Sequence, residues 1–143
     1  MIAAGFYEHF DHVPLDRWHW PNFTPREFRC GIGEDMPRAD EGVDSVLIVP
    51  DALERLQRAR SNWRRPFRIT SAFRSAAYNK RIGGAAESLH LFGMAFDIRC
   101  VKEDQATLVS ILRDAGFTGI GRYPYRGFVH ADIGPAREWT ESR

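Results

Sequence analysis

Residues 88–97 read SLHLFGMAFD, and this stretch places His90 and Asp97 seven positions apart with Gly93 between them. Seven residues make about two turns of an α-helix, but a central glycine and the lack of a run of helix formers argue against a helix. In a straight strand an odd separation puts two side chains on opposite faces, so the chain must bend between them, and glycine tolerates a bend. The stretch therefore predicts that His90 precedes a strand, that the chain turns at Gly93 and that Asp97 lies within the strand.

A second histidine, His130, lies in the late segment FVHADI, residues 128–133. Strand alternation places His130 and Asp132 on one face of this segment and apolar side chains on the other. Residues 94–100 divide in the same way, with Asp97 on the polar face. If these two strands are neighbours, Asp97 and His130 meet in one cleft.

The donor set formed by His90, Asp97 and His130 is typical of a metal centre. Two imidazoles and a carboxylate suit a catalytic zinc ion, because three protein ligands leave the fourth tetrahedral position to water. The sequence therefore predicts one zinc ion at these residues and the chemistry of a hydrolase.

The ordered motifs Ser-x-His-x6-Asp and Phe-Val-His-x-Asp resemble those of the D-alanyl-D-alanine carboxypeptidase family of zinc peptidases, peptidase family M15. This family includes phage endolysins and is related in fold to the Hedgehog signalling domain. Two more segments fit the resemblance: PNFTPREFRC at residues 21–30 and ITSAFRSAAYNKRIGG at residues 69–84. The resemblance covers roughly residues 23–139, which is nearly the whole chain.

The resemblance implies that His90, Asp97 and His130 hold zinc and that the substrate is an amide bond in a peptidoglycan stem peptide. It also implies that Ser88 lies at the substrate site and steadies the first ligand through a hydrogen bond. Arg74 would face the substrate, where a guanidinium can grip a carboxylate or stabilise an oxyanion. The alternative for Arg74 is an ordinary structural ion pair.

The general base is the point at which the chain departs from the family pattern. Many relatives place a glutamate or histidine two or three residues before the last ligand, whereas this chain has Phe128 and Gly127 there. The nearest carboxylates are Asp132 and Glu87. Asp132 shares a strand face with His130, so it either takes the proton of the attacking water or orients a ligand imidazole. Glu87 is either the base or an exposed side chain.

Two alternatives stay open at the level of function. A carboxypeptidase must hold a free terminal carboxylate, whereas an endopeptidase needs a groove open at both ends, and the sequence does not choose between them. The rival from another class is a zinc-binding module without catalysis, serving cell-wall recognition or a phage tail.

Length and charge limit the class of protein. A chain of 143 residues suits one self-sufficient domain, and we expect an irregular N-terminal arm over residues 1–22 and a single zinc peptidase domain over residues 23–143. The formal net charge of +1 gives no reason to expect a nucleic-acid partner. We expect a monomer that acts on peptidoglycan peptides.

The order of the predicted elements gives the fold class. A helix start is predicted at residues 24–27, and helices are predicted over residues 50–62, 75–81 and 103–115. Strands are predicted over residues 67–73, 117–122 and 128–133, and a surface loop over residues 31–44. Helices come first and strands gather in the second half. This order predicts an α+β fold with a small, mostly antiparallel sheet and helices packed on one face, similar to the Hedgehog/DD-peptidase fold.

The N-terminus and the two cysteines bear on the cellular compartment of the protein. Residues 1–13 lack the pattern of a signal peptide and no segment has the length and hydrophobicity of a membrane span, so we expect cytoplasmic synthesis and release to the cell wall by a phage route. Cys30 and Cys100 are either two reduced thiols or a single bridge.

Overall fold

Strands and helices alternate through the second half of the chain and surround one apolar core. The computed structural model describes residues 2–33 and 42–142, so most of the predicted loop at residues 31–44 lies outside the described residues. The strands are β1 (Gly5–Tyr7), β2 (Val46–Ile48), β3 (Ile69–Ser71), β4 (Ala95–Arg99), β5 (Gly119–Tyr123), β6 (Phe128–Asp132) and β7 (Arg137–Thr140). The α-helices are α1 (Pro50–Trp63), α2 (Ala76–Arg81) and α3 (Gln105–Asp114).

The larger sheet has five strands in the order β3-β4-β6-β5-β7. Its neighbours are antiparallel except for β5 and β7, which are parallel. In the register of β4 with β6, Asp97 lies directly opposite His130. The predicted adjacency of these two strands is therefore confirmed, and so is the α+β class with a mostly antiparallel sheet.

The core lies on the face of the sheet opposite to Asp97 and His130. Alternate residues of β4 and β6 point into it, among them Ile98 and Val129, each almost fully buried. Helix α1 packs against α3, and α3 packs against β5 and β6. The two helices contribute apolar side chains at helical spacing: Leu53, Leu56, Leu108 and Leu112. The helices predicted at residues 50–62 and 103–115 are confirmed, although α3 begins after a short 310 helix, Lys102–Asp104.

The N-terminal segment, residues 2–22, packs on the domain and contributes buried side chains to its core. β1 pairs with β2 in a separate two-stranded antiparallel sheet. Trp20 is only 1% exposed, and its indole Nε1 donates to Glu54 Oε1 at 3.2 Å. The rest of residues 8–22 is irregular apart from two single-turn 310 helices.

Several local signals in the sequence have the expected structure. Thr24 begins the 310 helix Pro25–Phe28, where its backbone N–H donates to Glu27 Oε2 at 2.6 Å as in a capping box. Ser75 caps α2 by accepting from the backbone N–H of Tyr78 at 3.1 Å.

Some elements differ from the sequence-based expectation. The strand expected at residues 67–73 extends only over Ile69–Ser71, and β7 lies in a tail for which no strand was predicted. Cys30 and Cys100 are both buried and form no disulfide, so the bridge alternative is wrong. Among the described residues no helix combines the length and apolar character that crossing a bilayer requires.

Candidate metal centre and catalytic cleft

The first candidate ligand is held by a single helical turn. His90 lies in the 310 helix Leu89–Phe92, and Ser88 Oγ accepts the backbone N–H of His90 at 3.2 Å. Ser88 thus steadies His90 through the backbone rather than through the imidazole. Gly93 ends the turn with a backbone φ of 66°, a left-handed conformation that residues other than glycine rarely adopt. The predicted bend at Gly93 is confirmed.

The three candidate ligands converge on one point. Asp97 Oδ1 lies 3.3 Å from His90 Nε2 and 2.9 Å from His130 Nδ1. One ligand atom from each residue lies within 4.8 Å of the other two. Two ring nitrogens and a carboxylate oxygen in this arrangement match the donor set of a zinc site.

Hydrogen bonds to residues outside the triad of His90, Asp97 and His130 determine which ring nitrogen of each histidine faces the other candidate ligands. His90 Nδ1 lies 2.7 Å from the carbonyl oxygen of Ala72, and a carbonyl can only accept, so Nδ1 carries a proton and Nε2 is the nitrogen that faces Asp97. His130 Nε2 lies 2.6 Å from Asp132 Oδ2, which leaves Nδ1 facing Asp97. Zinc-binding histidines characteristically donate their outer N–H to a carbonyl or carboxylate in this way, so the residues present fit the ion.

The electrostatics of the triad favour a cation. Burial alone would raise the pKa of Asp97, but hydrogen bonds to His130 and His90 outweigh it and hold that pKa well below its usual range. Burial lowers the pKa of His130, and hydrogen bonds with Asp132 and Asp97 overcome this effect and raise the pKa to about 9. Without a metal, the proton on His130 therefore supplies the positive charge between the carboxylates.

Asp132 is fully enclosed and fully hydrogen-bonded. Its side chain is 0% exposed and accepts from His130 Nε2, from the backbone N–H of Gly134 at 3.0 Å, and from both terminal nitrogens of Arg137 at 3.0 and 2.8 Å. Burial raises the pKa of Asp132, but these bonds to His130, Arg137 and Gly134 lower it well below its usual range. This geometry orients the imidazole of His130 and leaves no side of the carboxylate open to water.

Arg74 lies behind the triad and also lines the cleft. Its Nη2 is 3.7 Å from Asp97 Oδ2, on the carboxylate oxygen that does not face the histidines. Its Nε donates to Ser71 Oγ at 3.1 Å and its Nη1 to Asn79 Oδ1 at 3.2 Å. Burial lowers the pKa of Arg74, and the nearby charge of Asp97 opposes that shift. Arg74 therefore makes an ion pair with a candidate ligand at the edge of the substrate space.

The triad opens into a cleft of about 790 Å³. One wall comes from the segment between α2 and the 310 helix and includes Glu87, which is exposed, and Ser88. The other wall comes from the ends of β5, β6 and β7. Its lining side chains are Tyr123, Arg126, Phe128, Arg137, Trp139 and Glu141. The structure thus brings Arg74, Glu87, Ser88 and Asp132 around the triad, and their roles there stay predictions.

The aromatic wall beside His130 was not found from the sequence. The rings of Tyr123 and Phe128 stack with centroids 4.3 Å apart, and Trp139 Nε1 donates to Tyr123 Oη at 3.0 Å. The ring of Trp139 lies 5.4 Å from the imidazole of His130 and over Gly121, where a Cβ would collide with the indole. The only sequence signal was an isolated tryptophan in a polar tail, which predicts packing but not its place.

Comparison with known proteins gives a family match and curated relatives. A family model described as Peptidase M15 matches residues 21–132. The chain is 35% identical over 98 residues to the peptidoglycan L,D-endopeptidase MepK of Escherichia coli K12, covering 62% of this chain and 51% of that protein. It is 30% identical over 79 residues to the zinc D-Ala-D-Ala carboxypeptidase of Streptomyces albus G, covering 53% and 31%. The chain thus spans about half the length of the first relative and about a third of the second.

Proposed function

Because the chain belongs to the peptidase M15 family, we propose that it is a zinc-dependent metallopeptidase that hydrolyses amide bonds in peptidoglycan stem peptides. The observation that carries this proposal is the convergence of His90 Nε2, Asp97 Oδ1 and His130 Nδ1 at the floor of an open cleft. The two relatives described above are, by name, a peptidoglycan L,D-endopeptidase and a zinc D-Ala-D-Ala carboxypeptidase, which supports the same substrate class.

His90, Asp97 and His130 would hold one zinc ion. Zinc at such a site supplies a Lewis acid for the scissile carbonyl and lowers the pKa of water from 15.7 to about 7. The chain's own contribution is a rigid set of donors, because the carbonyl of Ala72 and the carboxylate of Asp132 fix the two imidazoles.

For the general base we propose Glu87, with Asp132 as an orienting residue. Both oxygens of Asp132 are already hydrogen-bonded and the side chain is 0% exposed, so it has no free lone pair for a water proton. Glu87 is exposed on the cleft wall three residues before His90. A third carboxylate of the cleft, Glu141, is already paired with Arg126, whose Nη1 lies 3.3 Å from Glu141 Oε2.

Arg74 and Ser88 would act on the substrate as well as on the ligands. The guanidinium of Arg74 holds Asp97 and still borders the cleft, where it can stabilise negative charge on the substrate. Ser88 holds the backbone at His90 and also lines the cleft, so a peptide bound there passes close to its hydroxyl.

An endopeptidase is the first candidate and a carboxypeptidase the second. The similarity to the L,D-endopeptidase extends over 98 residues, against 79 for the carboxypeptidase.

We also propose that the sheet and helices have a Hedgehog/DD-peptidase arrangement and that the protein is a monomer. A cleft formed within one chain is consistent with a monomer. Delivery to the cell wall by a phage route stays a prediction from the sequence.

Mass spectrometry of purified peptidoglycan before and after digestion tests this function. The expected result is release of peptide fragments that a chelator abolishes and added zinc restores. The masses distinguish loss of a terminal alanine from cleavage inside a stem peptide or cross-link. A protein that binds zinc yet releases no fragment from any peptidoglycan would be a recognition module instead.

A further inference from the structure

A forked ion pair outside the triad joins β6 to β7. Arg137 Nη1 donates to Asp132 Oδ1 at 3.0 Å and Nη2 to Asp132 Oδ2 at 2.8 Å, so the guanidinium holds both oxygens in a fork. The same Asp132 Oδ2 accepts from His130 Nε2 at 2.6 Å. A continuous chain of hydrogen bonds therefore runs from Arg137 through Asp132 to a candidate zinc ligand.

The backbone provides space for this pair. Gly119 of β5 lies opposite Asp132 in the sheet and beside Arg137 in the parallel pairing. A Cβ at Gly119 would collide with both the carboxylate of Asp132 and the guanidinium of Arg137. Arg137 Nη1 also donates to the carbonyl oxygen of Pro135 at 2.8 Å, which fixes the arginine from the turn that precedes β7.

The fork restricts what Asp132 can do. A carboxylate held at both oxygens cannot rotate, so the oxygen that faces His130 stays in place. That oxygen keeps the Nε2 edge of the imidazole on Asp132 and hence the Nδ1 edge towards Asp97, which is 2.9 Å away. The positive charge of Arg137 also keeps a fully buried carboxylate from being left unpaired, which would be costly.

We propose that Arg137 is a positioning residue of the metal centre, which sets zinc affinity by holding Asp132 and, through it, the ligand orientation of His130. This inference rests on the proposed zinc site and goes beyond it, because the hydrogen bonds of Arg137 go to Asp132 and Pro135 and not to a candidate ligand. Loss of the residue to which a zinc-binding histidine donates, here Asp132, typically weakens metal affinity about 10- to 100-fold, and loss of Arg137 acts through Asp132.

Arg113→Gln provides a matched control for Arg137→Gln. Arg113 makes the same two-fold contact with Glu138, the next residue of β7, at 2.8 and 2.6 Å, but this pair is exposed on the side of α3. Removing either arginine deletes one forked ion pair that anchors β7. Only Arg137 is connected to His130.

The test is the zinc dissociation constant of each variant, measured by competition with a chromophoric chelator. We expect Arg137→Gln to bind zinc about 10-fold more weakly than the wild type, the lower end of the range for a direct partner of a ligand, and Arg113→Gln to bind it within about twofold of the wild type. Arg137→Lys keeps the charge without the fork and should lie between them. Equal affinity in folded Arg137→Gln and wild type would overturn the inference.

The controls separate the possible failures. If Arg137→Gln does not fold, Arg137→Lys alone decides, since wild-type affinity in that variant would show that the fork is not needed. If Arg113→Gln loses as much affinity as Arg137→Gln, anchoring of β7 is the cause and the inference fails. If the wild type itself binds no zinc, the proposed function fails first.

Discussion

Asp97 and Asp132 lie on two paired strands and both contact the imidazole of His130, yet their surroundings give them different roles. Asp97 Oδ1 faces two ring nitrogens and Oδ2 faces Arg74, so the carboxylate is open on the side where a cation fits. Both oxygens of Asp132 are occupied by donors, and its side chain is 0% exposed. The difference lies in the partners and not in the residue type.

Glu87→Gln is expected to lower the turnover of peptidoglycan fragments by about 10²- to 10⁴-fold while zinc content stays at the wild-type level, because it removes a base but no ligand contact. Asp132→Asn is the paired variant and should weaken zinc binding about 10- to 100-fold instead. Metal analysis and a fragment-release assay on both proteins make the comparison. Wild-type turnover in Glu87→Gln would exclude it as the base.

The raised pKa of His130 makes a prediction for the zinc-free protein. Burial lowers that pKa, but hydrogen bonds to Asp132 and Asp97 raise it from 6.5 to about 9. Since the folded-state pKa lies above the unfolded value, the stabilisation is fully present below pH 6.5 and is lost as pH rises through about 9. Urea unfolding at pH 6 and pH 9.5 should differ by up to about 3 kcal/mol in this contribution. His130→Gln should lack that part of the pH dependence, and an unchanged profile in this variant would contradict the assignment.

At the scale of single residues, the sequence indicated the three candidate ligands and their neighbours Ser88 and Asp132, but not Arg137 and Trp139. His90, Asp97 and His130 were predicted because donor chemistry and strand alternation are local properties. Arg137 and Trp139 were not, because they reach the site only through the parallel pairing of β7 with β5, which no local pattern encodes.

The turn between His90 and β4 is the element that brings two ligands together. Gly93 adopts φ of 66°, and a Cβ there would approach the carbonyl oxygen of Leu47 to 2.8 Å. The glycine thus permits both the bend and the close contact with β2. Gly83 provides a comparison, because its φ is 76° but a Cβ would meet nothing within 4 Å.

Gly93→Ala is therefore expected to lower the free energy of unfolding by more than Gly83→Ala. The left-handed conformation alone costs about 1–2 kcal/mol for an alanine, and only Gly93→Ala adds a clash with backbone. Denaturant unfolding of both zinc-free variants gives the comparison. An equal loss of unfolding free energy in the two variants would show that the clash with Leu47 does not add to the cost of Gly93→Ala.

Elements with strong internal patterns were predicted well and short strands were not. Helices α1 and α3 carry apolar side chains at helical spacing and α2 carries a serine cap, so their positions follow from sequence. β1, β2 and β7 are three or four residues long and exist because a partner strand pairs with them. What determines these strands is tertiary pairing, which a local sequence pattern does not show.

For the whole molecule, the family match and the geometry agree on one centre. The match to Peptidase M15 covers residues 21–132, which includes all three candidate ligands but ends before β7. Arg137 and Trp139, which complete the surroundings of His130, therefore lie beyond the matched region. The sequence indicated a zinc site, and the fold shows that β7 places Arg137 and Trp139 beside it.

The most direct test of the account is the zinc content of the purified protein and of Asp97→Ala, measured by elemental mass spectrometry after dialysis against buffered zinc. The account predicts one zinc ion per chain in the wild type and a loss of bound zinc in the variant, because Asp97 Oδ1 lies between both imidazoles. One equivalent of zinc retained by folded Asp97→Ala, or none bound by the wild type, would contradict it.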